Sequence, residues 1–297
     1  MAKQRRSLNG KVVAITGGAR GIGKATATAL VRKGCRVALG DLDLKLAEET
    51  AAGLGGGTIA LALDVTDRSS FERFLTETER QLGPVDVVIN NAGIMPVTAI
   101  IDESDDSIRR QLDINIYGVI VGTQLAIERM RPRGSGHIVN LASQAGKTAL
   151  PGIATYSGTK HAVVGISEAV RAELRGSGVE VHCVMPTVVN TDLTAGLSQK
   201  LIPKVEVEDV ANEIVEALEL GRFDVYVPRS NAIISRFGPL LPRRASDAIA
   251  RLMKADKLMF EVDHGARRAY EERAAASEPG MEDAPAGAQP STQRDAA

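Results

Sequence analysis

Two side chains four residues apart, Tyr156 and Lys160 in YSGTK, carry the sharpest chemical signal in this sequence. On a helix that spacing puts both on one face. A lysine ammonium beside a phenol favours the phenolate by charge attraction. Free tyrosine titrates near roughly 10, so acid–base work at neutral pH needs such a depression. Ser143, in NLASQAG, follows a predicted strand, and its hydroxyl can donate to an oxygen held beside Tyr156. Singly, a Tyr–Lys pair on a helix is a surface feature and a serine after a strand is a cap. Together, downstream of a cofactor-binding turn, they point to catalysis.

That turn is TGGARGIG, beginning at Thr16. It follows an apolar run and opens a helical pattern, the context that separates a dinucleotide-binding turn from an ordinary glycine-rich loop. Gly17 permits the tight turn, Gly21 lets backbone approach a diphosphate, and Gly23 lets helix pack on strand. Arg20 and Ile22 sit within it, and the free N–H groups at the helix start face the anion. Asp41 ends the second strand about 20 residues on, where a carboxylate accepts hydrogen bonds from the adenosine ribose. It would repel a 2′-phosphate, so NAD(H) is favoured; Arg20, able to pair with that phosphate, keeps NADP(H) open. Asp41 can also cap the following helix. Asp64, in ALDVTD, is placed to reach the adenine edge, with Val65 contributing backbone, or is a simple turn residue.

The elements that must position these groups alternate. Apolar runs predict strands over 12–16, 36–39, 59–63, 85–89, 137–141, 179–185 and 223–227. Helical patterns lie over 22–32, 44–52, 69–82, 105–130, 156–175 and 207–220. Seven strands alternating with helices indicate an α/β, doubly wound Rossmann-type parallel sheet in one domain. Residues 8–228 form the dinucleotide-binding and catalytic domain, 229–273 a helical C-terminal extension, and 274–297 a tail too poor in large apolar residues to fold. Within the extension, 243–260 is a basic amphipathic helix that packs on the protein or a second copy, or rests on an anionic membrane surface.

The 297 residues suffice for a large core, and the formal net charge of −1 gives no electrostatic reason to expect a nucleic-acid partner. Cys35 and Cys183 read as reduced thiols, and the four histidines show no HExxH or paired ligand spacing, so no metal is expected. The basic N-terminus leads into no apolar run of signal-peptide length, and no segment is apolar enough to span a bilayer. The expected compartment is the cytoplasm.

Five segments in order, TGGARGIG, LDVTD, NNAG, the Asn115 of DINIYG, and Ser143 followed by YSGTK, resemble the short-chain dehydrogenase/reductase family from about residue 8 to 227. The resemblance implies that Tyr156 exchanges a proton with an alcohol or ketone while hydride moves to or from the nicotinamide. It implies that Lys160 also bonds the nicotinamide ribose and that Asn115 holds a water linking Lys160 to solvent. It places Asn90, Ala92 and Gly93 on the adenosine side, and Pro186, Val188 and Thr191 at the nicotinamide carboxamide. The family usually shows Pro-Gly after the sixth strand; here it is Pro186-Thr187, so that loop is expected to be stiffer or to turn differently. Met95, Val97, Ala145, Leu150, Ile153, Leu193, Leu197 and Leu201 are candidate walls for a lipophilic steroid-, retinoid- or lipid-like substrate. A homodimer or homotetramer is expected. A non-catalytic dinucleotide-binding regulator is the alternative, disfavoured by the intact Asn115, Ser143, Tyr156 and Lys160.

Overall fold

Strands buried on both faces must be apolar along their whole length, and this chain supplies such runs. The computed structural model describes residues 5–196, 205–237, 242, 244 and 263–276. Strands β1 Val12–Thr16, β2 Arg36–Asp41, β3 Ile59–Ala62, β4 Val87–Asn90, β5 Gly136–Leu141, β6 Val179–Pro186 and β7 Asp224–Val227 form one sheet. Their order is β3-β2-β1-β4-β5-β6-β7, and neighbouring strands are parallel. Helices are α1 Gly21–Arg32, α2 Leu44–Leu54, α3 Arg68–Leu82, α4 Asp105–Leu112, α5 Gly118–Met130, α6 Ala154–Glu173, α7 Val207–Leu220, α8 Asn231–Phe237 and α9 His264–Ala276. No described helix is long and apolar enough to cross a membrane.

The sheet separates two cores. On one face Val13, Ile15, Val37, Leu39 and Val139 meet Leu30 of α1 and Ile214 and Leu218 of α7. On the other, Val12, Ala14, Val88 and Ile138 meet Phe71 and Leu75 of α3 and Leu125 of α5. Each such buried side chain contributes on the order of 1.5–3 kcal/mol. Strand order reverses between β1 and β4, which opens a crevice at the carboxyl ends of the strands. Both the glycine turn and Tyr156 lie at that edge.

Several boundaries depart from the sequence pattern for physical reasons. β4 starts at Val87, and the side chain of Asp86 just before it accepts from Val12 N (2.9 Å) and Lys11 Nζ (2.9 Å). The helix expected over 105–130 is interrupted by a π-helical turn, Asp113–Tyr117, which holds Asn115. α6 starts at Ala154, so Tyr156 lies in its first turn. Beyond residue 228 the described structure contains α8 and α9; apart from Arg244, the amphipathic stretch 243–260 lies outside the described residues. α9 continues to Ala276, which corrects the expected start of the unfolded tail at residue 274. Alanine favours helix strongly, and Ala274 is buried in the same core cluster as Tyr270.

Gly122 on α5 sits where helix meets sheet. A methyl there would collide with Asn90 Oδ1 and the Phe71 ring. In an open helix position, glycine to alanine stabilises by up to about 1 kcal/mol. Gly122→Ala should instead lower stability by about 1–3 kcal/mol through overpacking, whereas Gly53→Ala on α2, where a Cβ meets nothing within 4 Å, should raise it slightly. Thermal unfolding of the two variants should move in opposite directions.

Candidate active site

The glycine turn leaves β1 with Gly17 at φ +63° and Gly21 at φ +54°, both left-handed. A Cβ on Gly23 would strike the Gly17 carbonyl oxygen, so glycine is required where α1 passes the turn. Arg20, at the helix N-cap, has extended backbone and makes no side-chain cap bond. The turn is held by Asn91, whose Nδ2 donates to Thr16 O (2.9 Å) and Gly17 O (2.9 Å). In return, Thr16 Oγ1 accepts from Asn91 N and Ala92 N, both at 3.0 Å. The cradle fits a diphosphate: its glycines leave no side chain between backbone amides and anion.

Asp41 anchors the turn's far side, with Oδ2 accepting from Ala19 N (3.0 Å) and Oδ1 from Asp43 N (3.1 Å). The helix-capping role weighed for Asp41 falls to Asp43, which accepts from Leu46 N and pairs with Arg20 at 2.6 Å. Asp64 accepts from Thr66 N (2.8 Å) and Thr66 Oγ1 (2.7 Å). Val65 is buried close against Gly118. Asn90 lies away from the crevice: its Nδ2 donates to Asn140 Oδ1 (2.8 Å) inside the core, while its neighbour Asn91 faces the crevice.

Tyr156 and Lys160, the expected acid–base pair, are 7% and 5% exposed. Lys160 Nζ donates to Leu141 O at 2.7 Å and lies 5.6 Å from the centre of the Tyr156 ring. Burial pushes the phenol above its usual range, against a smaller opposing pull from the Ser143 hydroxyl. Burial also pushes the Lys160 ammonium down to about 8. The structure therefore differs from the ammonium-stabilised phenolate expected from spacing alone, because desolvation opposes both charged forms. Burial thus favours the protonated phenol at Tyr156 and brings Lys160 down to about 8. Asn115, wholly buried in the π-turn, accepts from Ile94 N (2.9 Å) and donates to Ile94 O (2.9 Å) and Thr159 Oγ1 (3.2 Å). Gly93 lets the chain pass: a Cβ there would lie 3.1 Å from Asn115 Oδ1 and 3.6 Å from Lys160 Nζ.

The family signature of short chain dehydrogenases matches residues 11–202. The chain belongs to the short-chain dehydrogenase/reductase family. It is 30% identical to 17-beta-hydroxysteroid dehydrogenase 13 of Homo sapiens over 88% of both chains. It is 37% identical to a sorbitol dehydrogenase of Cereibacter sphaeroides over 65% of this chain and 76% of that one. A short-chain dehydrogenase/reductase of Burkholderia phymatum, solved in complex with NAD, shares the fold at a TM-score of 0.73 and 24% identity, covering 78% of this chain and 94% of that one.

In this short-chain dehydrogenase/reductase one crevice brings together Ile22, Gly93, Ser143, Tyr156, Lys160, Pro186, Val188 and Thr191. Its apolar wall is Met95, Ala145, Leu150, Ile153 and Leu193. Val97 packs on the buried cluster of Met95, Ala145, Ile153 and Tyr156, and Leu197 and Leu201 lie outside the described residues. After β6, Thr187 N donates to Val227 O (2.9 Å), so the pairing with β7 continues one residue past Pro186.

The sequence reading missed a second layer. Arg267 of α9 is fully buried; its guanidinium donates to Leu193 O (2.9 Å), Ala195 O (3.3 Å) and Met95 O. Tyr270 OH accepts from Met95 N at 2.7 Å. α9 thus ties two walls of the crevice together. The signal available in sequence was the grouping of Arg267, Tyr270 and Glu271 at three- and four-residue spacing on one helix face.

Lys160 sets a pH-dependent stability. Its amine titrates at about 8 when folded, against an ordinary 10.5. Between those values the unfolded chain binds more protons, so this residue's contribution to stability rises with pH. In urea unfolding at pH 7.5 and 9.5, the stability of wild type relative to Lys160→Met should shift toward wild type at the higher pH. An equal gap at both values would contradict the assigned burial of the amine.

Proposed function

We propose that the protein is an NAD(H)-dependent oxidoreductase interconverting a lipophilic secondary alcohol and its ketone. The observation that carries this reading is the convergence of Tyr156, Ser143 and Lys160 on an apolar crevice that opens from the glycine turn. Gly17, Arg20, Gly21, Ile22 and Gly23 would hold the diphosphate, and Asp41 the adenosine ribose. Asp64 and Val65 would border the adenine with Ala92 and Gly93 beside them, and Pro186, Val188, Thr191 and Lys160 would hold the nicotinamide end. Bound there, the dinucleotide supplies the hydride chemistry.

The chain's own residues supply the proton and the geometry. Ser143 holds the substrate oxygen beside Tyr156. In reduction the protonated phenol gives its proton to that oxygen; in oxidation Tyr156 takes the proton back. Lys160, titrating at about 8, is the next proton carrier inward. Asn115 fixes the loop after β4 against α6 through Ile94 and Thr159, which keeps Gly93 close to Lys160.

Two features support NAD(H) over NADP(H). The Asp41 carboxylate is locked at the end of β2 where a 2′-phosphate would meet it, and Arg20 is already paired with Asp43. The apolar wall supports a lipophilic substrate, as does the steroid named in the human relative. Leu112, just before the π-turn, and Tyr117, its last residue, are exposed apolar groups that support a homo-oligomer. No described helix is long and apolar enough to cross a membrane.

Purified protein assayed by NADH and NADPH absorbance against lipophilic ketones and small charged ones tests this reading. Turnover should favour NADH with lipophilic ketones, and Tyr156→Phe should lower kcat by roughly 10²–10⁴-fold while NADH binding, read by fluorescence, stays intact. Turnover confined to small charged substrates, or a Tyr156→Phe protein as active as wild type, would refute it. Asp41→Ala should narrow the NADH preference, with NADPH gaining most in kcat/KM.

A further inference from the structure

The opposite end of the sheet holds a group of side chains that the reaction does not use. β5 and β6 pair in parallel with His137 beside Glu180 and Val139 beside His182. Side chains alternate along a strand, so His137, Glu180 and His182 emerge on one face, the face that carries α1 and α7. They stand at the amino ends of the strands, away from Tyr156 and Lys160. We infer that His137, Glu180 and His182 bind a divalent transition-metal ion, zinc by preference of the ligand set.

The distances suit such an ion. His137 Nδ1 lies 3.1 Å from His182 Nε2 and 3.9 Å from Glu180 Oε2, and all three donor atoms fall within 4.8 Å of one another. Ligands at the usual zinc bond length of about 2.0–2.1 Å in tetrahedral array are separated by roughly 3.3 Å. Closing the site therefore takes only a small movement of the Glu180 side chain. The set of two imidazoles and one carboxylate matches zinc and leaves one coordination position for water.

The surroundings aim the donors. His182 Nδ1 bonds Arg222 O at 2.6 Å, which places the ring proton on Nδ1 and the lone pair on Nε2, the pattern of a metal-bound histidine. Arg6 occupies the other carboxylate oxygen, Glu180 Oε1, at 2.7 Å. Glu180 Oε2 is buried with no hydrogen-bond partner. Gly221 keeps that oxygen clear, since a Cβ there would approach it to 2.8 Å. Two imidazole nitrogens facing each other at 3.1 Å need either an N–H hydrogen or a metal between them. A proton on His137 Nδ1 satisfies the histidines and leaves Glu180 Oε2 unpartnered; a metal satisfies all three. His182 is wholly buried, and access is from the crevice beside it, lined by Arg171, Gly176, Glu180, Gly221 and Phe223. Arg6, also within reach of His137's field together with Lys11 and Asp86, is the competing cation.

Bound metal would pin β5, β6, the turn before β7 and the N-terminal arm at one point. Full-length protein stripped with a chelator and dialysed should take up one equivalent of zinc, measured by competition with a chromogenic zinc chelator. Its thermal midpoint should rise, since the ion binds the folded state preferentially. Glu180→Gln and His137→Gln should each weaken zinc at least tenfold and abolish the thermal shift, while circular dichroism confirms their fold. His161→Gln combined with His264→Gln, removing the two remaining histidines, should leave binding intact. X-ray absorption at the zinc edge should show nitrogen and oxygen neighbours only. No zinc uptake, or uptake unchanged in Glu180→Gln and His137→Gln, would mean that a shared proton joins the histidines and would overturn the proposal. Turnover is not needed for any arm, so the reaction assignment stands or falls separately.

Discussion

An amine held out of water is the constraint to which the rest of the site answers. Lys160 is 5% exposed, and its ammonium donates to a single backbone carbonyl, Leu141 O. An isolated buried charge costs several kcal/mol, and here the cost appears as a lowered proton affinity. Every neighbouring element has a part in setting that position. β5 ends on the accepting carbonyl, α6 carries the lysine, Gly93 allows the loop after β4 to close over it, and the π-turn aims Asn115 at that loop.

The same desolvation acts on Tyr156 in the opposite sense. Phenol and amine are both driven toward their neutral forms, one by keeping its proton and the other by losing it. Negative charge arising on a substrate oxygen would therefore meet a neutral phenol, the Ser143 hydroxyl and, below about pH 8, the Lys160 ammonium. Preorganised donors in a dry site act most strongly on charge that develops during reaction. A polar, flooded pocket with the same three side chains would lack that advantage.

Much of this was legible in the chain because its signals are local. Seven apolar runs mark the strands, and the glycines of the turn declare themselves by spacing. The chemistry of YSGTK follows from four-residue periodicity. What escaped was non-local or cooperative. Periodicity over 105–130 does not reveal a π-turn, since a single-turn bulge is too short to be told from ordinary irregularity in the apolar spacing. Adjacent asparagines cannot be told apart without knowing which points inward; Asn90 enters the core and Asn91 grips the turn. The sign of the Tyr156 shift depends on burial, which spacing does not encode. The histidine group arises from pairing between two strands more than 40 residues apart, invisible to any search for spaced ligands within a segment. α9 hid behind its composition: an arginine- and glutamate-rich stretch reads as solvated, yet Arg267 is buried completely.

Arg267 also imposes an order in time. A ribosome delivers Ser143, Tyr156 and Lys160 roughly a hundred residues before Arg267, and the glycine turn more than roughly two hundred before it. Domains begin to fold while synthesis continues, so a nascent chain can hold its reacting groups in place with the crevice still ungirded between Met95 and Leu193. The strap from α9 closes last, and only then do the two walls share a common buckle.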